Sequence, residues 1–167
     1  PNSLSDVKAP HASGSGITMP TVKDAMGNTL SYTGPVESGD YDGCEGTKIF
    51  TYSYSDCTGL ESHSHDWTYT YTVDMPAFSL PETTGAATVN CPADAKAAGM
   101  DGSKITLPTV KDVCGNTLEP ELTGTPNVLG CEGDMVYVYT YTDCAGNTAD
   151  YTFTYKIKMP AFTVAET

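Results

Sequence analysis

The chain repeats itself, and that duplication constrains its fold more than any other feature. Ile17-Thr-Met-Pro-Thr-Val-Lys-Asp24 recurs as Ile105-Thr-Leu-Pro-Thr-Val-Lys-Asp112, and Gly27-Asn-Thr-Leu30 as Gly115-Asn-Thr-Leu118. Gly43-Cys-Glu-Gly46 matches Gly130-Cys-Glu-Gly133, and Met75-Pro-Ala-Phe78 matches Met159-Pro-Ala-Phe162. The offset drifts from 88 to 87 to 84, so the copies differ by short insertions, which belong in loops. A chain of 167 residues built this way should fold as two small domains rather than one. The expected boundaries are 1–77 and 78–167. The final Met159-to-Thr167 stretch reads as the start of a further copy, so the chain is expected to be a slice of a longer array.

Within each copy the hydrophobic period is two. Phe50, Tyr52 and Tyr54 alternate with Thr51, Ser53 and Ser55, and Trp67, Tyr69, Tyr71 and Val73 alternate with threonines. The second copy repeats this with Tyr137, Tyr139 and Tyr141, then Tyr151, Phe153, Tyr155 and Ile157. One face of each strand therefore carries the aromatics. No long segment shows helical spacing, so an all-β fold is expected. The aromatic rows are read first as core and cross-strand pairs; a carbohydrate-stacking platform is the alternative.

Charge narrows the function. The chain holds 21 acidic residues against 8 basic ones, all lysine, for a net charge of −13. Such a surface repels phosphate backbones, so neither nucleic-acid binding nor docking on anionic lipid is expected. Six cysteines without a Cys-x-x-Cys pair argue for disulfides in an oxidising compartment rather than structural zinc. No apolar run is long enough to insert in a membrane, and an export signal and any anchor are expected outside this stretch.

Asp-x-x-Gly recurs in matching places in the two copies, from Asp24 and Asp56 and from Asp112 and Asp143, and Asn28, Asn116 and Asn147 follow the glycine in three of them. This is a type I turn signature. If the two turns of a copy meet, Asp112, Asn116, Asp143 and Asn147 would form an oxygen-rich set suited to calcium. Asp24, Asn28 and Asp56 are the counterpart in the first copy, with Asp74 and Glu82 at the module junction as further carboxylates. Closing the turn is the plainer role for these aspartates. Ser62-His-Ser-His-Asp66 has the residue types for a transition metal, but it lies in an insertion absent from the second copy and is read as a solvated loop. His11, His63 and His65 do not recur, and no nucleophile–base motif is present. An enzyme is not expected, and no catalytic residue is assigned.

The runs Tyr139-Thr-Tyr-Thr-Asp-Cys-Ala-Gly-Asn147 and Leu107-Pro-Thr-Val-Lys-Asp-Val-Cys-Gly-Asn116, with Cys91-Pro92, resemble hyalin-repeat (HYR-like) modules. The resemblance implies immunoglobulin-like or fibronectin-III-like β-sandwiches, two in tandem. With Cys-Glu-Gly and Asp-Cys-x-Gly, it extends to arrays in giant cell-surface adhesins of Bacteroidota, including gliding-motility proteins of the SprB kind. That implies type IX secretion, display on the bacterial outer surface, and roles in adhesion or spacing.

The first copy departs from the pattern. Aligned on the motifs, Ala9 stands opposite Cys91 and Met26 opposite Cys114. The joint loss suggests a Cys91–Cys114 bridge, leaving Cys44 with Cys57 and Cys131 with Cys144. Each bridge would contribute ~2–4 kcal/mol. Against this, 13 residues separate Cys131 from Cys144 across one strand. Either the Cys-Glu-Gly segment folds back, or the pairing differs, or it joins neighbouring modules.

The expected function is a non-catalytic repeat of a secreted adhesin or filament, contacting neighbouring repeats of the same chain. The rival is a binding module that recognises a surface polysaccharide or a protein through exposed tyrosine rows. No binding residue is singled out, and no cofactor other than calcium is considered.

Overall fold

The computed structural model describes residues 1–126 and 130–164, with every side chain there except that of Ser62. Residues 165–167, the end of the repeated Met-Pro-Ala-Phe stretch, lie outside the described residues. The chain divides into two compact units, Pro1–Pro76 and Ala77–Thr167. Both are all-β and sandwich-like.

The first unit contains β1 (Tyr32–Ser38), β2 (Gly46–Ser55) and β3 (Ser64–Val73), hydrogen-bonded in that order. β2 and β3 are antiparallel over ten residues, with Tyr52 opposite Trp67 and Phe50 opposite Tyr69. The period-two pattern does what it predicts. Phe50, Tyr52 and Tyr54 are buried, and the intervening Thr and Ser residues face outward or half outward.

The second unit contains β4 (Thr84–Val89), β5 (Val110–Lys111), β6 (Thr117–Leu118), β7 (Glu121–Gly124), β8 (Gly133–Thr142) and β9 (Thr148–Ile157). Its main sheet runs β4-β9-β8-β7, and β5 and β6 form a separate hairpin. β8 and β9 reproduce the β2–β3 ladder, with Tyr139 opposite Tyr151 and Tyr137 opposite Phe153. β4 then joins β9 in parallel, Thr84 opposite Thr152 through Val89 opposite Ile157. Gly85 allows this close approach: a Cβ there would collide with the Tyr151 hydroxyl and reach 2.7 Å from the Phe153 ring.

In each unit the layer facing the main sheet is mostly irregular. In the second unit it runs from the 3-10 turn Pro92–Asp94 to the β5–β6 hairpin; in the first, from the 3-10 turn Leu4–Asp6 to a single Lys23–Thr29 bridge. Proline and positive-φ glycine account for the missing ladder: Pro108 breaks up the layer in one copy and Pro20 in the other, and Gly99 and Gly102 have φ of 80° and 78°.

Backbone groups facing a core without a ladder still require partners, and tyrosine hydroxyls supply them. Tyr137 donates to the Ala95 carbonyl at 2.7 Å, Tyr141 to Pro108 at 2.7 Å and Tyr155 to Lys96 at 2.9 Å. The Tyr139 and Tyr155 hydroxyls accept the N–H groups of Ala98 and Lys104 at 2.7 and 2.8 Å. The first unit repeats the scheme: Tyr54 donates to Pro20 at 3.2 Å and Tyr71 to Lys8 at 2.9 Å. This explains why the core is built from tyrosine, 11 against 4 phenylalanines.

Matching features of this layer recur in the two units at a constant offset of 88. Ser15 Oγ donates to the Pro10 carbonyl and accepts the Ile17 N–H, and Ser103 Oγ accepts the Ile105 N–H in the same way. The 3-10 turn Leu4–Asp6 corresponds to Pro92–Asp94. Ser3, not Ala9, therefore stands opposite Cys91. The first copy has no cysteine there to mark the position, and the expected match at Ala9 is six residues out.

Candidate functional site

The Asp-x-x-Gly turns that recur in both copies, at Asp24, Asp56, Asp112 and Asp143, are the strongest repeated polar feature. In each, the glycine has a positive φ: 85° at Gly27, 67° at Gly59, 88° at Gly115 and 82° at Gly146. Only glycine takes that region freely. Asp143 is representative. Its Oδ1 accepts the N–H groups of Ala145 and Asn147 at 3.0 and 2.9 Å, and its Oδ2 accepts Asn147 Nδ2 at 2.9 Å. Asp24 is held by Met26 and Asn28, and Asp112 by Asn116. The asparagine side chain fixes the second carboxylate oxygen in all three.

The Asp56 turn lacks that asparagine, because Leu60 follows Gly59. There Asp56 Oδ1 accepts from the Thr58 N–H and hydroxyl, and Oδ2 pairs with His63 Nδ1 at 2.6 Å. The histidine insertion thus supplies the donor that asparagine supplies elsewhere. Sequence reading separated the His63 loop from the turn; the signal that connected them was the missing Asn.

The carboxylates respond to this bonding. Hydrogen bonds from the Asn28 side chain hold Asp24 below the ordinary aspartate range, and those from Thr58 do the same for Asp56. At Asp112 burial pushes the carboxyl up, but the hydrogen bonds from Asn116 and from the backbone outweigh it, and the net direction is down. Asp112 and Asp143 are buried, with 7% and 6% exposure, and both remain satisfied.

In the first unit Asp24 and Asp56 line one cleft of about 230 Å³, together with His63, His65 and Tyr54. The two turns of that copy therefore meet at one pole. Asn28 does not line the cleft; its side chain is turned to Asp24. Among the described residues, no group of three or more His, Cys, Asp or Glu is arranged to hold a metal ion. Two clamps escaped sequence analysis: Asp40 accepts from the Thr47 N–H and hydroxyl, and Asp42 from the N–H groups of Cys44 and Glu45. Asp40 has the Asp-x-x-Gly spacing with Gly43, and Asp42 does not.

The cysteines correct the expected pairing. Cys44 and Cys144 each take part in a disulfide. Cys57, Cys91 and Cys131 are exposed free thiols, and Cys114, also exposed, is outside a disulfide. The pairs Cys44–Cys57, Cys131–Cys144 and Cys91–Cys114 are thus not formed. The first two fail for a geometric reason. Cys44 and Cys57 flank the ten residues of β2, and Cys131 and Cys144 the ten of β8. Ten extended residues span about 33 Å, against the ~7 Å limit for bridged Cα atoms. The Cys-Glu-Gly segments lead straight into the strands, their glycines Gly46 and Gly133 being the first strand residues.

The aromatic rows also find their place. Tyr137, Tyr139, Tyr141, Tyr151, Phe153 and Tyr155 are all buried in the second unit. In the first, Trp67, Tyr69 and Tyr71 remain half-buried, the first pair tilted and the second edge-on, with centroids 6.1 and 5.0 Å apart.

Tandem aromatic-cored β modules with aspartate-closed turns define the chain as a repeat-domain protein. Its family is shown by the model for HYR-like domains with 4 cysteines, which matches residues 2–73 and 79–157; the chain belongs to that family. The second unit has all four cysteines, and the first has two. Among curated proteins none matches the chain.

Proposed function

We propose that the chain is a non-catalytic structural repeat of a large secreted cell-surface adhesin or filament, serving as a stalk segment for display and adhesion. The observation that carries this reading is the parallel pairing of the second unit's first and last strands, β4 with β9. Tension applied through the two ends of such a unit loads every hydrogen bond of the pair in shear, so they must break together. A sheet loaded at one end would open bond by bond. Burial of the tyrosine rows supports the same reading, because aromatics committed to a core are not available as a binding platform.

The wider context rests on the sequence resemblance to Bacteroidota adhesin arrays: display on the bacterial outer surface, export by the type IX route, and service in gliding motility. Neighbouring repeats of the same chain are the immediate partners. The charge of −13 suits a crowded surface layer and disfavours nucleic acid.

Single-molecule stretching through the chain termini tests the proposal. The second unit should rupture in one high-force event. Ala87→Pro, which removes a ladder N–H, should lower that force. Equal forces for the two proteins would defeat the stalk reading. The rival reading retains the half-buried Trp67–Tyr69–Tyr71 row; saturable glycan binding lost in Tyr69→Ala would favour it.

A further inference from the structure

Lysine is scarce in this chain, eight residues against 21 acidic ones, yet two lysines line one polar cleft of the second unit. The cleft holds about 360 Å³ and is bounded by Thr88, Asn90, Asp94, Lys96, Gly102 and Lys104. Among the described residues Lys48 with Glu37 is the one lysine ion pair. Lys96 and Lys104 therefore face the same space without a carboxylate bound to either. Two like charges brought together oppose each other, and an anion between them relieves the cost.

The core places this pair. The buried Tyr155 hydroxyl donates to the Lys96 carbonyl and accepts the Lys104 N–H, so one oxygen fixes both backbones and brings both side chains to the cleft. Lys96 is anchored a second time. Its Nζ donates to the Asp101 carbonyl at 2.6 Å, which uses one of three ammonium donors. Gly102 leaves room for it, since a Cβ there would lie 3.3 Å from Nζ. The first unit repeats this fit, with Lys8 Nζ 3.2 Å from a Cβ at Gly14. Gly16, however, stands where the second copy has Lys104. The double ammonium is particular to the second unit.

We infer that this cleft binds a uronic acid residue of a polysaccharide, its carboxylate held between Lys96 and Lys104. The other lining groups select a sugar acid over a plain anion. Asp94 opposes a second negative charge on the ligand but accepts hydrogen bonds from hydroxyls, and Thr88 and Asn90 add a hydroxyl and an amide. A volume of about 360 Å³ falls within the range of small-ligand sites, about 300–1,000 Å³. The net charge of −13 does not forbid such a ligand. At physiological salt, charges more than about 8 Å away are largely screened, and the charges lining the cleft are two positive to one negative. A polymer with an anion on every group would still meet the acidic surface around it, so sparse carboxylates among hydroxyls fit best. This inference goes beyond the stalk reading and does not rest on it, because a module carries load with or without a bound sugar.

The test titrates trigalacturonate and trimannuronate separately into the full chain by calorimetry at physiological salt, with EDTA present so that no cation bridges the two acids. Saturable binding of at least one is expected, with NMR amide shifts at Lys96, Gly102 and Lys104. Lys96→Gln and Lys104→Gln keep a polar side chain and should each weaken binding by about tenfold or more, with the circular dichroism spectrum and thermal midpoint unchanged. Lys111→Gln, on β5, should bind as the unaltered protein does. The methyl-esterified trisaccharide keeps the hydroxyls without the charge and should bind about tenfold more weakly or not at all. Inorganic sulfate at the same concentration should not compete. Binding of neither uronate, equal binding of the ester, equal competition by sulfate, or full binding in the Lys96→Gln, Lys104→Gln double variant would each overturn the assignment.

Discussion

The Tyr155 hydroxyl donates to the Lys96 carbonyl at 2.9 Å and accepts the Lys104 N–H at 2.8 Å, tying two points of the irregular layer to β9. Tyr155 is fully buried, so no water replaces either bond if the oxygen is removed. Tyr155→Phe should destabilise the second unit by about 1–3 kcal/mol, the cost of orphaned buried polar groups. Tyr71→Phe removes one bond at a half-exposed position and should cost less. Urea unfolding of the two variants makes the comparison; equal losses would contradict this role for Tyr155.

Gly85→Ala should lift β4 away from Tyr151 and Phe153. Overpacking of this kind costs about 1–3 kcal/mol. Faster hydrogen exchange in the outer half of β9, with the β8 ladder unaffected, would locate the damage; uniform loosening would not fit.

Much of this architecture is legible in the sequence, and the limits have physical causes. β2, β3, β8 and β9 follow from alternating aromatics because one face of each strand is buried. The β4 segment, Thr84-Gly-Ala-Ala-Thr-Val89, has no such signature. Its small residues are chosen for close approach to β9, which only the tertiary pairing reveals. The Asp-x-x-Gly turns are read correctly from spacing, whereas His63 reaches Asp56 from seven residues away across an insertion. The expected disulfide pairs followed from the joint absence of two cysteines in the first copy, and the objection from strand length is the one that the continuous β2 and β8 uphold.

Acid should weaken the fold through the turn aspartates. The Asp112 carboxyl sits below its ordinary value when folded, since the hydrogen bonds from Asn116 and the backbone outweigh burial. A group lowered in this way adds stability above its unfolded value, near pH 4, and the contribution is lost as pH falls through the folded value. Asp24, Asp40, Asp42 and Asp56 shift in the same direction. Thermal midpoints should therefore drop below about pH 4. Asp112→Asn, which cannot titrate, should show a shallower drop; an identical profile would remove Asp112 from the account.

Non-reducing peptide mapping should find no Cys44–Cys57 and no Cys131–Cys144 linkage, because β2 and β8 hold each pair apart along ten extended residues. Either linkage in the native protein would mean that the strand in question is not continuous.

Calcium is best tested by chelation. The carboxylate oxygens of Asp24, Asp112 and Asp143 already accept hydrogen bonds within their own turns, so thermal midpoints in EDTA and in millimolar calcium should coincide. A rise with calcium would show that the turns open to hold an ion.

The tyrosine hydroxyls leave one more imprint, on how such copies diverge. A layer zipped by a ladder must keep its register, since a single inserted residue shifts every bond beyond it. A layer pinned at separate points, such as Pro20 to Tyr54 and Pro108 to Tyr141, can lengthen between pins without disturbing its anchors. Modules of this design can drift in loop length around an unchanged interior, and here the drift from 88 to 84 falls outside the pinned layer, in the connections around the paired strands.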